Sequence, residues 1–289
     1  MVIDAAALFA LGAAVSYAFA DMAVRYGLQH TTPIIGSTIG RVFSVSTLAA
    51  LIWITGAQFP LWGTHYLWLL LAGVFNPGLF AVFFMFGISK IGVSRAAPIK
   101  GSSPLIAAFL AILFLGERPA PGQLAGVVLV VLGVAVISSG KTGGRWRRIH
   151  ALWPLAAAVF AGTGAIFWRK GLPAFPHPLA GALVGMTAAL LTVALYSVLF
   201  KREQILGGVK AAWRPFMLGG IVGAIGNFFY ASALRSGEVF RMVSLIQISP
   251  LLTVLLALIL LRKAESITWR VPAGAVLTVS GAILVNLRF

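Results

Sequence analysis

Lys100 stands inside an otherwise apolar run, directly ahead of Gly101-Ser102-Ser103-Pro104. A cation in such a run is costly unless something answers it, so it marks either a buried ion pair or a point where an anionic group such as a carboxylate is met. The proline that follows has no N–H and frees a carbonyl one turn earlier, a break tolerated in an apolar helix only beside packed protein or a cavity. A second break, Gln247-Ile248-Ser249-Pro250, lies much later in the chain, and Asn76-Pro77 makes another kind of break before both. Asn227 and Tyr230 are three apart and share a helix face, offering a donor, an acceptor and a ring to an amphipathic solute. Tyr17, Phe83 and Trp168 supply further rings, and Ser103, Ser244, Asn76 and Gln247 further hydroxyls and amides. The expected binding set is therefore Lys100, Ser103, Asn76, Phe83, Tyr17, Trp168, Asn227, Tyr230, Gln247 and Ser244, with Pro104, Pro250 and Pro77 as points of bending. Three other charged residues read first as structural, with a proton site the alternative for Asp21 and Arg25 and a substrate contact the alternative for Arg41. Asp21 and Arg25, four apart, can pair on one helix face, and Arg41 reads as a snorkelling or interhelical residue.

The chemistry these residues suit is reversible recognition, and the signatures of catalysis fail one by one. The chain has no cysteine, which removes disulfides, thiol nucleophiles and cysteine metal sites. Gly140-Lys141-Thr142 imitates the end of a phosphate-binding loop, but Ala135 occupies the place of its first glycine. No His-Glu-x-x-His occurs, and Thr278-Val279-Ser280-Gly281 lacks the first glycine of an intramembrane serine protease motif. No catalytic residue, metal or cofactor is expected.

The elements that must position this set are membrane helices. Of 289 residues, 60% are hydrophobic and 10% charged, and the mean hydropathy is +0.99; soluble domains carry about a quarter charged residues. The formal charge of +16 comes from 22 Lys+Arg against 6 Asp+Glu. Most of these cations sit in short gaps between apolar runs, where they set topology and meet lipid headgroups rather than nucleic acid. Ten runs are long enough to cross a bilayer, near residues 5 to 27, 33 to 56, 65 to 88, 93 to 115, 121 to 140, 152 to 170, 177 to 200, 214 to 235, 239 to 261 and 270 to 287. Ala18-Phe19-Ala20 resembles a signal-peptidase site, but no basic region precedes the first run, so that run is expected to be retained. The longest gap, Gly140 to His150, holds Gly143-Gly144 and the cations Arg145, Arg147 and Arg148 at the middle of the chain.

The two halves repeat. Val15, Arg25, Gly27 and Leu28 recur as Val159, Arg169, Gly171 and Leu172; Pro33, Gly36 and Gly40 recur as Pro178, Gly181 and Gly185. Further on, Gly73, Phe83, Arg95, Ser103 and Pro104 recur as Gly219, Phe229, Arg241, Ser249 and Pro250, and Glu117, Gly126 and Gly133 as Glu265, Gly274 and Gly281. The glycines place small-residue packing ridges on the second and seventh runs. Five helices per copy is an odd number, so the second copy enters the membrane from the opposite side. The expected fold is an all-α integral membrane domain of ten transmembrane helices in two inverted five-helix repeats, residues 1–144 and 145–289. Inverted repeats of this kind place a solute near the bilayer midplane and expose it alternately to either side, which makes secondary transport the leading reading.

With Ser103-Pro104 followed by Leu115-Gly116-Glu117, Ser249-Pro250 followed by Glu265, and Gly126, Gly133, Gly274 and Gly281 in the fifth and tenth runs, the chain resembles the drug/metabolite transporter superfamily, in particular its ten-helix EamA-type members. The second copy departs from the pattern at Arg262-Lys263-Ala264, where a Gly-Glu is typical. The resemblance implies an exporter of amino acids, aromatic ones included, in the bacterial inner membrane. Its expected partners are a small-molecule substrate and membrane lipid, as a monomer or an oligomer of unspecified order. Alternatives are a carrier of drugs or other metabolites, or a membrane-embedded receptor or enzyme. Flux into proteoliposomes separates carrier from receptor, and product formation from a labelled solute separates carrier from enzyme. On orientation the two lines part. Arg25, Lys90, Arg95, Lys141, Arg145, Arg147, Arg148 and most other loop cations lie on one side, which by the positive-inside rule puts both termini outside; the resemblance implies both termini in the cytoplasm. A green fluorescent fusion at Phe289 distinguishes them.

Overall fold

The computed structural model describes residues 4–138, 147–200, 202–260 and 269–287. Glu265, the Arg262-Lys263-Ala264 departure and the glycine-rich part of the central linker through Arg145 lie outside these residues.

Asp4 opens the first helix, its carboxylate accepting from the Ala7 N–H at 2.8 Å, which satisfies one of the donors a helix start leaves free. That helix, α1, is Ala5–Gly27. Pro33 starts α2 (Pro33–Thr55), where its missing N–H costs nothing, and Gly56 ends it in a left-handed conformation. The third span, α3 (Thr64–Ile91), is interrupted at Val74–Leu79, where Asn76 leaves helical geometry before a cis Asn76-Pro77 bond. The fourth and ninth spans each come in two pieces, α4a (Val93–Lys100) with α4b (Ser103–Leu115), and α9a (Val239–Ile246) with α9b (Ser249–Leu260). The breaks fall just ahead of Ser103-Pro104 and Ser249-Pro250, at equivalent places in the two copies. The rest are α5 (Pro121–Ser138), α6 (Leu152–Gly171), α7 (Pro178–Phe200), α8 (Arg202–Ser236) and α10 (Arg270–Asn286).

Among the described residues, nine spans are long and apolar enough to cross a membrane, and α10 is a shorter apolar helix. The fold is the ten-helix membrane architecture expected. One boundary moves: α8 begins at Arg202, a dozen residues before the apolar run at 214 to 235. Hydropathy marks the part of a helix that lies in lipid, and backbone hydrogen bonding extends it beyond.

Packing follows the internal symmetry but mixes the copies. Helix α1 packs on α8 and α9, and its mate α6 packs on α3 and α4; α2 packs on α8 as α7 packs on α3; α5 pairs with its own mate α10, and α2 with α7. The small-residue ridges explain how closely these helices approach. Gly27 and Gly36 leave the slot that Phe216 fills, and Gly171 and Gly181 leave the matching slot for Leu69. Between α5 and α10 a Cβ on Gly126 would meet Gly281 O at 2.8 Å, and one on Gly274 would meet Gly133 O at 2.8 Å. The two contacts are symmetry mates, so the two-fold relation runs through this antiparallel pair.

One membrane face, the near face, carries Asp4, the start of α9a and the end of α10. There Arg241 Nη1 meets Asp4 Oδ2 at 2.7 Å and Arg241 Nε donates to Asn286 Oδ1 at 2.6 Å. The Glu117 carboxylate accepts from the N–H groups of Val239 (2.7 Å) and Phe240 (3.2 Å), capping α9a. Burial pushes the Glu117 carboxyl above its ordinary range, and the two backbone hydrogen bonds only partly offset this. A group whose pKa is raised on folding contributes stability that is full below its unfolded value and is lost as pH rises through the folded value. The melting temperature of the wild type relative to Glu117→Gln in detergent is therefore expected to fall as pH rises above about 4, the ordinary glutamate range. A rise there would mean that the N–H contacts outweigh burial.

Candidate functional site

Between the two copies lies a cavity of about 270 Å³. Its walls come from α1 (Tyr17, Asp21), the α3 break (Asn76, Pro77, Phe80), the α4 break (Lys100, Ser103), α6 (Ala161, Trp168), α8 (Asn227, Tyr230) and the α9 break (Val243, Ile246, Gln247, Ser249, Pro250). A larger cleft of about 640 Å³ is lined by Phe9, Thr55, His177 and Arg235 at helix ends on the near face. The amides, rings and opposite charges converge on the central cavity.

The α3 and α4 breaks are each answered by neighbouring groups. Freed carbonyls in an apolar medium need donors, and here Trp168 Nε1 donates to Asn76 O at 3.2 Å and Arg41 Nη2 to Pro77 O at 3.0 Å. Arg41 also donates to the Ser37 carbonyl at 3.1 Å and to the Ser37 hydroxyl, which makes it an interhelical strut between α2 and α3. At the α4 break Ser102 Oγ donates to Ile99 O at 2.7 Å. At the α4 break a hydroxyl next to the proline thus binds a carbonyl of the preceding turn.

The polar wall is a chain of contacts. Tyr17 Oη donates to Asn227 Oδ1 at 2.9 Å, and Asn227 Nδ2 reaches Ser44 Oγ at 3.3 Å, linking α1, α8 and α2. Asn76 Nδ2 lies 3.5 Å from Tyr230 Oη, and the Tyr230 and Trp168 rings meet edge-on with centroids 6.0 Å apart. Lys100 Nζ stands 5.5 Å from the ring centroids of both Phe80 and Phe84, a cation–π setting. Gln247 Nε2 is buried without a hydrogen-bond partner. Among the described residues lining the cavity, Asp21 and Lys100 carry the charges, and they attract one another across it.

Of the residues expected from sequence, Lys100, Ser103, Asn76, Tyr17, Trp168, Asn227, Tyr230 and Gln247 come together here, with Pro77 and Pro250. Phe83 does not: its ring packs on Trp153 and Phe160, with centroids 5.5 and 4.9 Å away. Ser244 is fully buried and donates to Phe240 O at 2.7 Å within its own helix. Pro104, at the second position of α4b, is buried and does not line the cavity. Asp21 is the residue the sequence reading placed elsewhere. It opens into the cavity and takes a contact from Thr253 Oγ1 at 3.5 Å. Its four-residue spacing from Tyr17 puts both on one face of α1 and would have found it.

The two-fold relation passes through this cavity, since the mates Ser103 and Ser249, Tyr17 and Ala161, and Lys100 and Ile246 all line it. The backbone framework is thus shared between the copies, while the chemistry differs at each mated position except the serines. Such a pocket can hold a small solute by its two opposite charges, amide contacts and an aromatic wall.

Known proteins share this framework. A solved crystal structure superposes with a TM-score of 0.79 over 97% of this chain and 96% of its own, at 19% identity, a likeness of fold. An uncharacterized transporter of Archaeoglobus fulgidus is 25% identical over 273 residues, 93% of this chain and 94% of its own length. A protein of Salmonella typhimurium named a probable amino-acid metabolite efflux pump is 25% identical over 272 residues, 89% of this chain and 87% of its own. The family model of EamA-like transporters matches twice, over residues 4–139 and 148–287. Matched across both halves and sharing their helical framework, the chain belongs to the EamA-like transporter family.

Proposed function

We propose that this transporter exports amino acids, aromatic ones included, across the bacterial inner membrane, exposing one central site alternately to its two sides. The carrying observation is the cavity between the copies, where Lys100, Asp21, two asparagines, Gln247 and the rings of Tyr17, Phe80, Trp168 and Tyr230 face a common space. Its size of about 270 Å³ lies just below the usual span of ligand pockets, roughly 300–1,000 Å³. That favours a solute of amino-acid dimensions over a drug-sized one. The Salmonella typhimurium relative, named a probable amino-acid metabolite efflux pump, points the same way.

Residues 1–144 and 145–289 act as the two repeats, and Lys100, Ser103, Asn76, Tyr17, Trp168, Asn227, Tyr230 and Gln247 contact the solute. Because each copy lends α1 or α6 to the other, movement reorients bundles that draw on both repeats, with bending at the paired α4 and α9 breaks. The test uses cells loaded with dipeptides, with and without the gene. Cells expressing the protein are expected to release aromatic amino acids faster and to accumulate less of them. Unchanged retention of every amino acid would overturn the export reading in favour of another metabolite carrier.

A further inference from the structure

The repeat separates what the architecture needs from what the solute needs. The mate of Asp21 is Ala165 and the mate of Lys100 is Ile246. Both apolar mates sit at the same framework positions, so neither the fold nor the helix breaks require a charge there. Yet the two charges open into one cavity, of opposite sign and in mutual attraction, on helices from α1 and α4 that are far apart in sequence.

The surroundings of the two charges differ in kind. Lys100 is steadied by the faces of Phe80 and Phe84, at 5.5 Å each, and the unmatched N–H of Gln247 lies in the wall of the same cavity. Lys100 and Gln247 thus both offer donors to the cavity. Around Asp21 the neighbours are hydroxyls, Thr253 Oγ1 at 3.5 Å and Tyr17 one turn away on the same helix face. A buried donor left unmatched is costly unless a ligand accepts from it, so the orphan amide of Gln247 is itself a pointer to an incoming acceptor.

We propose that Asp21 and Lys100 are the two poles of a zwitterion site, Asp21 receiving the α-ammonium and Lys100 with Gln247 the α-carboxylate, so that the cavity demands both charges on its solute. This deepens the amino-acid reading above and rests on it. The side chain of the solute then lies along the Trp168, Tyr230 and Phe80 rings, where the wall tolerates apolar variety.

The experiment compares three probes of one carbon framework by thermal stabilisation of the purified full-length protein in detergent: L-phenylalanine, 3-phenylpropionate without the ammonium, and phenethylamine without the carboxylate. Counterflow of labelled L-phenylalanine in proteoliposomes runs alongside. The wild type is expected to exchange phenylalanine and to favour it over either single-charge probe by about tenfold or more, the size of one charge-assisted contact. Asp21→Asn should erase the preference over 3-phenylpropionate while still rejecting phenethylamine; Lys100→Gln should do the reverse. A merely structural role would depress all three probes together, and that outcome overturns the proposal, as does an unchanged preference in both variants. If phenylalanine is exchanged but the preferences do not split in this way, the two-pole site fails and the export reading stands. If the wild type neither binds nor exchanges any amino acid, both fall.

Discussion

Lys100→Ala, accumulating in the membrane at the wild-type level, is expected to lose amino-acid efflux. The side chain enters the cavity at the end of α4a, steadied by two phenylalanine faces, and it is the cation of that wall. A hydrogen bond to a charged partner is worth about 1.5–3 kcal/mol. Removing it lowers affinity for a carboxylate by roughly 10- to 150-fold at 1.4 kcal/mol per factor of ten. The loss has a second part, because Asp21 would then face the cavity without its counter-charge, and a carboxylate in that setting repels the solute's own. The effect on the fold is smaller. Lys100 closes an eight-residue half-helix, where a cation near the C-terminus contributes about 0.3–1 kcal/mol. Efflux near zero with a melting temperature lowered by no more than a few degrees is the signature expected, and retained efflux removes Lys100 from the site.

Gly281→Leu is expected to give the largest structural effect, a chain that no longer purifies as a single folded species. A Cβ at this position would stand 2.7 Å from both Gly126 O and Val130 N, backbone atoms that can move only if α5 moves. Overpacking of a built core costs typically 1–3 kcal/mol. Here the whole leucine side chain must be accommodated between two backbones in contact, which takes the cost past that range. Gly281→Ala should already lower the melting temperature for the same reason. Gly223 gives the contrast. A Cβ there meets nothing within 4 Å, so Gly223→Ala is expected to raise stability by about 0.5–1 kcal/mol, the ordinary gain of alanine over glycine in a helix. Equal effects at the two sites, read by thermal melts in detergent, would refute close packing of α5 on α10.

Several features of the molecule are determined by composition and order alone. Runs of about twenty apolar residues with cations in the gaps leave the bilayer as the only solvent for the chain, and the backbone must then satisfy itself as helix. Pro104 and Pro250 mark breaks because a proline removes a donor wherever it is placed, and the recurrence of glycines at fixed offsets declares the duplication. Lys100 was legible as a site residue because a lone cation among apolar neighbours always needs an answer. What the sequence could not contain was which helix stands beside which. Asp21 and Arg25 are neighbours along α1, so local spacing suggested a pair; only the packing of α1 on α9, with α4 across the cavity, turns Asp21 into the same cavity wall as Lys100. Phe83 and Phe80 follow the same break three residues apart, yet one packs on Trp153 and Phe160 while the other lines the cavity. The copies also exchange α1 and α6, which no repeat in the sequence reveals, because duplication fixes the fold of each half only up to the partner it is packed against. The sequence by itself determined the membrane, the helices, the repeat and the places where chemistry is affordable. Tertiary packing decided which of those places face one another, since facing depends on the approach of helices distant in the chain and not on any local rule.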